Sequence, residues 1–150
     1  MADSSVQTIR ISKTINAPKR YVFNWCTDFT EDDPKLTGSS SKRIILEKSK
    51  KRVVYASNYT GDDGNQKIGV NIVTLKSPTS WHLEFFGEED NEIGDYKLSS
   101  LGKSKTKLNM VFKEKWKKVE VPTIEEQEKD SGIVWDKYVA ALESDYNAQK

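Results

Sequence analysis

In Lys105-Thr106-Lys107-Leu108-Asn109-Met110-Val111-Phe112-Lys113, the residues Leu108, Met110 and Phe112 share one parity and Lys105, Lys107 and Lys113 the other. That period of two predicts a strand with one face in a core and the other in water. After Pro122 the period changes. Thr123 and Glu126 have the spacing of a capping box, in which each side chain satisfies the other's backbone N–H. Trp135, Tyr138, Val139, Leu142 and Tyr146 then follow at helical spacing and form one apolar stripe. Gly132 lies inside this stretch at a cost of about 1 kcal/mol relative to alanine, and marks either a kink or a late start. A strand that runs into the chain's only long amphipathic helix decides the architecture. The helix must bury its stripe on the sheet face that the strand helps to build.

Working back along the chain, Ile9, Ile11 and Ile15 predict a first strand, stopped by Asn16-Ala17-Pro18. Val22, Phe23, Cys26 and Phe29 lie three and four apart and predict a helix over residues 19–29. Glu31, Asp32 and Asp33 before Pro34 predict a second short helix, its acidic start suited to the dipole. Further strands are predicted at Ile44-Ile45-Leu46, Val53-Val54-Tyr55, Ile68/Val70/Ile72, Trp81/Leu83/Phe85 and Tyr96/Leu98. Asp62-Asp63-Gly64-Asn65 reads as a turn, since it lacks the spacing and closing glutamate of a calcium loop. Residues 87–94 read as an acidic loop bordering an entrance. The expected fold is α+β: one domain over residues 1–150, with a seven-stranded antiparallel meander and two short helices after its first strand, closed by the long C-terminal helix.

Composition narrows the function classes. The chain has 150 residues, with 24 basic and 23 acidic side chains giving a net charge of +1, which does not suggest nucleic-acid binding through bulk charge. Four Trp, six Tyr and five Phe imply a packed core. Cys26 and His82 are the only residues of their types, so neither a disulfide framework nor a zinc cluster is expected. No apolar run approaches the roughly 18 residues of a membrane span, and Met1-Ala2-Asp3-Ser4-Ser5 reads as no secretory signal. The expected setting is cytoplasmic.

Several segments resemble the START-like, or SRPBCC, superfamily, which includes the birch pollen allergen group, polyketide cyclases and lipid transfer domains. They are Ile15-Asn16-Ala17-Pro18 leading into Tyr21-Val22-Phe23 and Asp28, Trp81-His82-Leu83-Glu84-Phe85, Gly94-Asp95-Tyr96-Lys97-Leu98, and Lys105-Thr106-Lys107-Leu108. The resemblance covers nearly the whole chain, but its motifs concern packing and identify a fold rather than an activity. It implies a helix-grip fold, in which a curved sheet wraps the last helix and leaves an apolar cavity. Alternation would then offer Tyr55, Val70, Ile72, Leu83, Phe85, Tyr96, Leu98, Leu108, Met110 and Phe112 to that space. The helix would add Trp135, Tyr138, Val139 and Leu142. The implied function is binding or carriage of a small hydrophobic or amphipathic molecule of lipid, polyketide or isoprenoid type, without a cofactor, metal, nucleic acid or integral membrane contact. The alternatives are a cyclase- or dehydratase-type enzyme and a protein-interaction module resembling Hsp90-activating domains.

Catalytic candidates are few. His82 and Glu84 share a strand face and would make a base with its orienting carboxylate if they faced the cavity; alternation with Trp81, Leu83 and Phe85 puts them outside. Glu114 continues the parity of Phe112. It is either inward, with a pKa raised by desolvation, or solvated beside a lysine. Cys26 reads as a small core residue. Lys103, Lys105, Lys107, Lys113, Lys115 and Lys117 form a basic stripe. It serves as a solvated face that resists edge pairing, or as a contact for an anionic surface or acidic protein.

Overall fold

The computed structural model describes residues 6–33, 41–61, 63–117 and 121–150. Its elements are β1 (Val6–Ile15), α1 (Lys19–Cys26), β2 (Lys42–Lys48), β3 (Arg52–Thr60), β4 (Gln66–Lys76), β5 (Ser80–Phe86), β6 (Asp90–Gly102), β7 (Lys105–Trp116) and α2 (Ile124–Ala148). The seven strands form one antiparallel sheet in the order β1-β7-β6-β5-β4-β3-β2. This is the expected α+β helix-grip arrangement. The second short helix predicted around Pro34 falls largely on residues 34–40, outside those described.

Tight turns set the registers. Between β3 and β4, Gly64 has φ +82°, and Asp63 Oδ1 accepts from the Asn65 N–H at 2.9 Å, so the turn expected there is present. The acidic stretch after β5 is shorter than predicted. Strand pairing resumes at Asp90, and Glu92 lies within β6 rather than in a loop. Helix α1 ends at Cys26, so the predicted span to Phe29 is corrected. Phe29 instead takes φ 40°, uncommon for an aromatic residue, which sends its ring back into the core.

Helix α2 begins where the capping box placed it. Thr123 Oγ1 accepts from the Glu126 N–H at 3.1 Å, and Glu126 Oε2 accepts from the Thr123 N–H at 3.2 Å. It runs through Gly132 without a break. Two of its carboxylates satisfy amides along edge strand β1 and just past its end: Glu128 accepts from the Arg10 N–H at 3.0 Å and Glu143 from the Asn16 N–H at 2.6 Å. Helix and edge therefore protect each other from stray pairing.

The core lies on the concave face, with Ile9, Ile15, Val53, Val73, Leu108 and Met110 fully buried. Thr106, also fully buried, donates to the Ala17 carbonyl at 2.8 Å and so ties β7 to the turn before α1. One prediction is reversed: Val70 and Ile72 do not face the core. Val73 pairs across to Val53 and Leu83, and Asn71 to Tyr55 and Phe85, so odd positions of β4 point inward. A one-residue change of parity flips every side chain. Both faces of β4 are apolar, which is why alternation alone misassigns it. Gly69 helps select the observed parity, since a Cβ there would lie 2.3 Å from the Phe85 ring. Val70 and Ile72 join Ile44, Ile68 and Phe86 on the outer sheet face, among polar neighbours that include His82 and Glu84.

Candidate functional site

Helix α2 crosses the concave face, yet Leu142 is the one apolar side chain it buries fully. Trp135 and Tyr138, on the same stripe, face a cavity of about 350 Å³ enclosed by α1, the sheet and the C-terminal half of α2. Seven aromatic rings contribute to its wall. Trp81 stacks on Tyr96 with centroids 4.8 Å apart, Trp135 lies 5.1 Å from Tyr138, and Trp25 lies 6.4 Å from Tyr138. Phe29, turned inward by its left-handed backbone, packs 5.7 Å from Tyr55.

Charged groups complete the lining. Asp28, Asp32, Asp33 and Asp145 line the cavity with Arg43. Arg43 Nη1 donates to Asp33 Oδ2 at 2.8 Å, and the guanidinium lies over the Tyr55 ring, 4.3 Å from its centre. Asp145 accepts from the Trp25 indole N–H at 2.8 Å, which fixes that ring against α2. Lys48 donates to the Asp28 backbone carbonyl. Burial, with Asp33 close by, pushes the Asp28 carboxyl up to about 6. Burial also pushes the Tyr55 hydroxyl up to about 12 and raises those of Tyr96 and the Cys26 thiol, so these groups stay protonated and can donate.

Of the residues predicted to line the site, Tyr55, Leu83, Tyr96, Trp135 and Tyr138 do so. Leu98, Leu108, Met110 and Leu142 are filled core, and Val139 packs against it. Phe85 faces inward but lies outside this cavity, against Tyr59 at 6.3 Å. Phe112 lines a second, smaller cavity of about 260 Å³ together with Glu92, Glu114, Asp130 and Val134. Tyr96 and Trp135 line both spaces and form the wall between them. The predicted list omits Trp25, Phe29, Trp81, Arg43 and the four aspartates. Trp81 carries a legible signal, since it shares the parity of Leu83. Asp28 and Arg43 carry none, because only the fold brings their segments together.

The catalytic candidates separate. His82 lies on the outer face, with Nδ1 2.6 Å from Asp95 Oδ1 and Nε2 3.5 Å from Glu84 Oε1. Its hydrogen bond to Asp95 raises the imidazole pKa against partial desolvation. The sheet separates it from the cavity. Glu114 points inward and is 9% exposed. Its cross-strand partner is Glu92, and carboxylate oxygens of Asp90, Glu92 and Glu114 all lie within 4.8 Å of one another. Burial and these two neighbours push Glu114 up to about 9, so near neutrality it keeps its proton and donates to Glu92. Lys105, Lys107, Lys113 and Lys115 alternate with the buried residues of β7 and are exposed. Lys103 is exposed in the preceding turn, and Lys117 donates to the Gly87 carbonyl at 2.7 Å. Among the described residues, no helix is long and apolar enough to cross a membrane.

Neither a protein-family model nor a curated protein matches the sequence. Solved structures do match the fold. The Zhui aromatase/cyclase of Streptomyces sp. R1128 superposes with a TM-score of 0.71 at 12% identity, over 95% of this chain and 94% of that one. A START superfamily protein from Mycobacterium smegmatis has a TM-score of 0.66 at 16% identity, covering 95% and 99%. Major latex-like protein 151 of Panax ginseng has 0.65 at 14% identity, covering 92% and 98%. At these identities the likeness is one of fold: the chain has the START-like, or SRPBCC, helix-grip fold.

Proposed function

We propose that the protein binds and carries a small, ring-bearing apolar or amphipathic molecule in the cavity between α1, the sheet and α2. One observation carries the reading: a helix laid across a sheet leaves Trp135 and Tyr138 facing open volume instead of core. Large aromatic side chains are normally the first to be packed, and a core closed at native density would cover them. The volume sits near the lower end of the roughly 300–1,000 Å³ typical of ligand pockets, which favours a compact ring system over a two-chain lipid. Tyr55 and Tyr138 supply hydroxyls to orient the guest.

The test starts with native mass spectrometry of gently purified protein, followed by denaturation and identification of any released compound. Trp25, Trp81 and Trp135, three of the four tryptophans, line the cavity, so intrinsic fluorescence reports on it directly. Titration with 2-naphthol should quench it saturably, and Trp135→Ala should weaken binding about tenfold through lost ring contact. A clean apo mass together with no saturable quenching would sink the proposal.

A second reading, proton-transfer catalysis of cyclase type, is favoured by one observation. Asp28, held at about 6, can both give and take a proton near neutrality from the cavity wall. Glu114 would serve this chemistry only for a substrate reaching the second cavity. An interaction module with a filled core is disfavoured by the cavity itself.

A further inference from the structure

The cavity combines aromatic walls with an acidic rim, and that pairing narrows its guest. Trp25, Phe29, Trp81 and Trp135 present π-systems to the enclosed volume. Ring faces carry negative charge density and attract cations. At the rim stand Asp28, Asp32, Asp33 and Asp145 against Arg43, the one cation among the described residues that line the space. Arg43 is already engaged by Asp33 at 2.8 Å and by the Tyr55 ring. Lys48 bonds the Asp28 backbone carbonyl, and its charge also acts on the Asp28 carboxyl. With Lys48 counted beside Arg43, four carboxylates face two cations and leave the lining negative, in a partly desolvated setting where charge acts over longer range.

From this we propose that the cavity selects a ligand whose apolar ring body bears a protonated amine or quaternary ammonium group. The ring body would lie among the tryptophans and the cationic head at the aspartate rim. The inference rests on the carrier reading above and sharpens it to a chemical class. Burial, and then Asp33, raise the Asp28 carboxyl against the opposing charges of Lys48 and Arg43. The groups facing Asp28 are Asp33 from its own loop, Arg43 and Lys48 from β2, and Cys26 from α1, whose thiol stays protonated. Asp145 of α2 lines the same space.

Three probes of similar shape test this by tryptophan fluorescence: 2-naphthylmethyl-trimethylammonium, the neutral isostere 2-(2,2-dimethylpropyl)naphthalene, and 2-naphthylmethanesulfonate. The cation should bind about tenfold more tightly than the neutral isostere, and the anion most weakly. The quaternary probe does not titrate, so its affinity should fall as pH drops from 7.5 to 5 and Asp28 takes up a proton. Asp145→Asn, which keeps an acceptor for Trp25, should reduce the preference for the cation about threefold. His82→Gln, on the outer face, should leave the pH dependence in place. Equal or tighter binding of the neutral or anionic probe overturns this inference while leaving the carrier reading standing. If none of the three binds, the carrier reading fails and this inference with it.

Discussion

Leu142→Ala should destabilise the protein by about 2–5 kcal/mol, the range for removing a fully buried leucine without refilling its place. Leu142 is 1% exposed and is the apolar anchor of α2. Trp135, Val139 and Tyr146 pack against the core but are only partly covered, so Leu142 is the stripe's one fully buried contact. Polar ties at the β1 edge, including the Lys13–Asp136 pair at 2.6 Å, lie at the surface and contribute little each. Urea unfolding at neutral pH measures the loss. Ile133→Ala is the control, because Ile133 is 48% exposed and should shift stability by less than about 0.5 kcal/mol. Equal effects of the two substitutions would mean that α2 is not seated through Leu142. Because the same helix closes the cavity, Leu142→Ala should also weaken ligand binding.

Glu114→Gln should stabilise the protein above neutral pH. The folded chain holds a proton on Glu114 up to about pH 9, whereas the unfolded carboxyl releases it near 4.5. A raised carboxyl pKa means that the native state binds more protons between those limits, so stability falls as pH rises from about 4.5 to about 9. Near pH 7, about 2.5 units above the unfolded value, the cost is on the order of 3 kcal/mol at 1.36 kcal/mol per pKa unit. Glutamine keeps the shape and a donor toward Glu92 but has no proton to lose, which removes the cost and flattens this part of the pH profile. Asp28, raised by burial, and His82, raised by Asp95, slope in the same direction. Glu92 is raised by the same burial and loses its titrating partner in the variant, so the difference between variant and wild type isolates the Glu92–Glu114 pair. Denaturation midpoints at pH 5 and pH 8 decide it: a difference that does not grow with pH rules out the shared proton.

Much of the fold is legible because its signals are local. Period-two runs at Trp81-Leu83 and Leu108-Phe112, the Thr123/Glu126 box and the turn glycine Gly64 each depend on residues a few positions away. Together they specify element type and order. The inward parity of Glu114 is legible for the same reason, as it continues from Phe112. The failures lie where local signals are two-sided or silent. β4 has apolar residues on both parities, so Val70 and Ile72 read as core until Val53 and Leu83 across the ladder claim Val73. Phe29 continues a helical spacing although the helix stops at Cys26, because its ring is satisfied by Tyr55, a partner far along the chain.

By itself the sequence determined the succession of strands and helices, the capped C-terminal helix, and the tyrosines and tryptophans available to a central space. Only the tertiary structure decided what those residues meet. The β6–β7 register sets Glu92 against Glu114 and turns two ordinary carboxylates into a proton-sharing pair. The approach of β2 to the end of α1 brings Arg43 beside Asp28, and α2 adds Asp145 to the same cavity, so scattered charges come to line one space. Patterning is read over a few residues of one segment. Burial, desolvation and charge coupling depend on distances between segments, which exist only after the chain has closed.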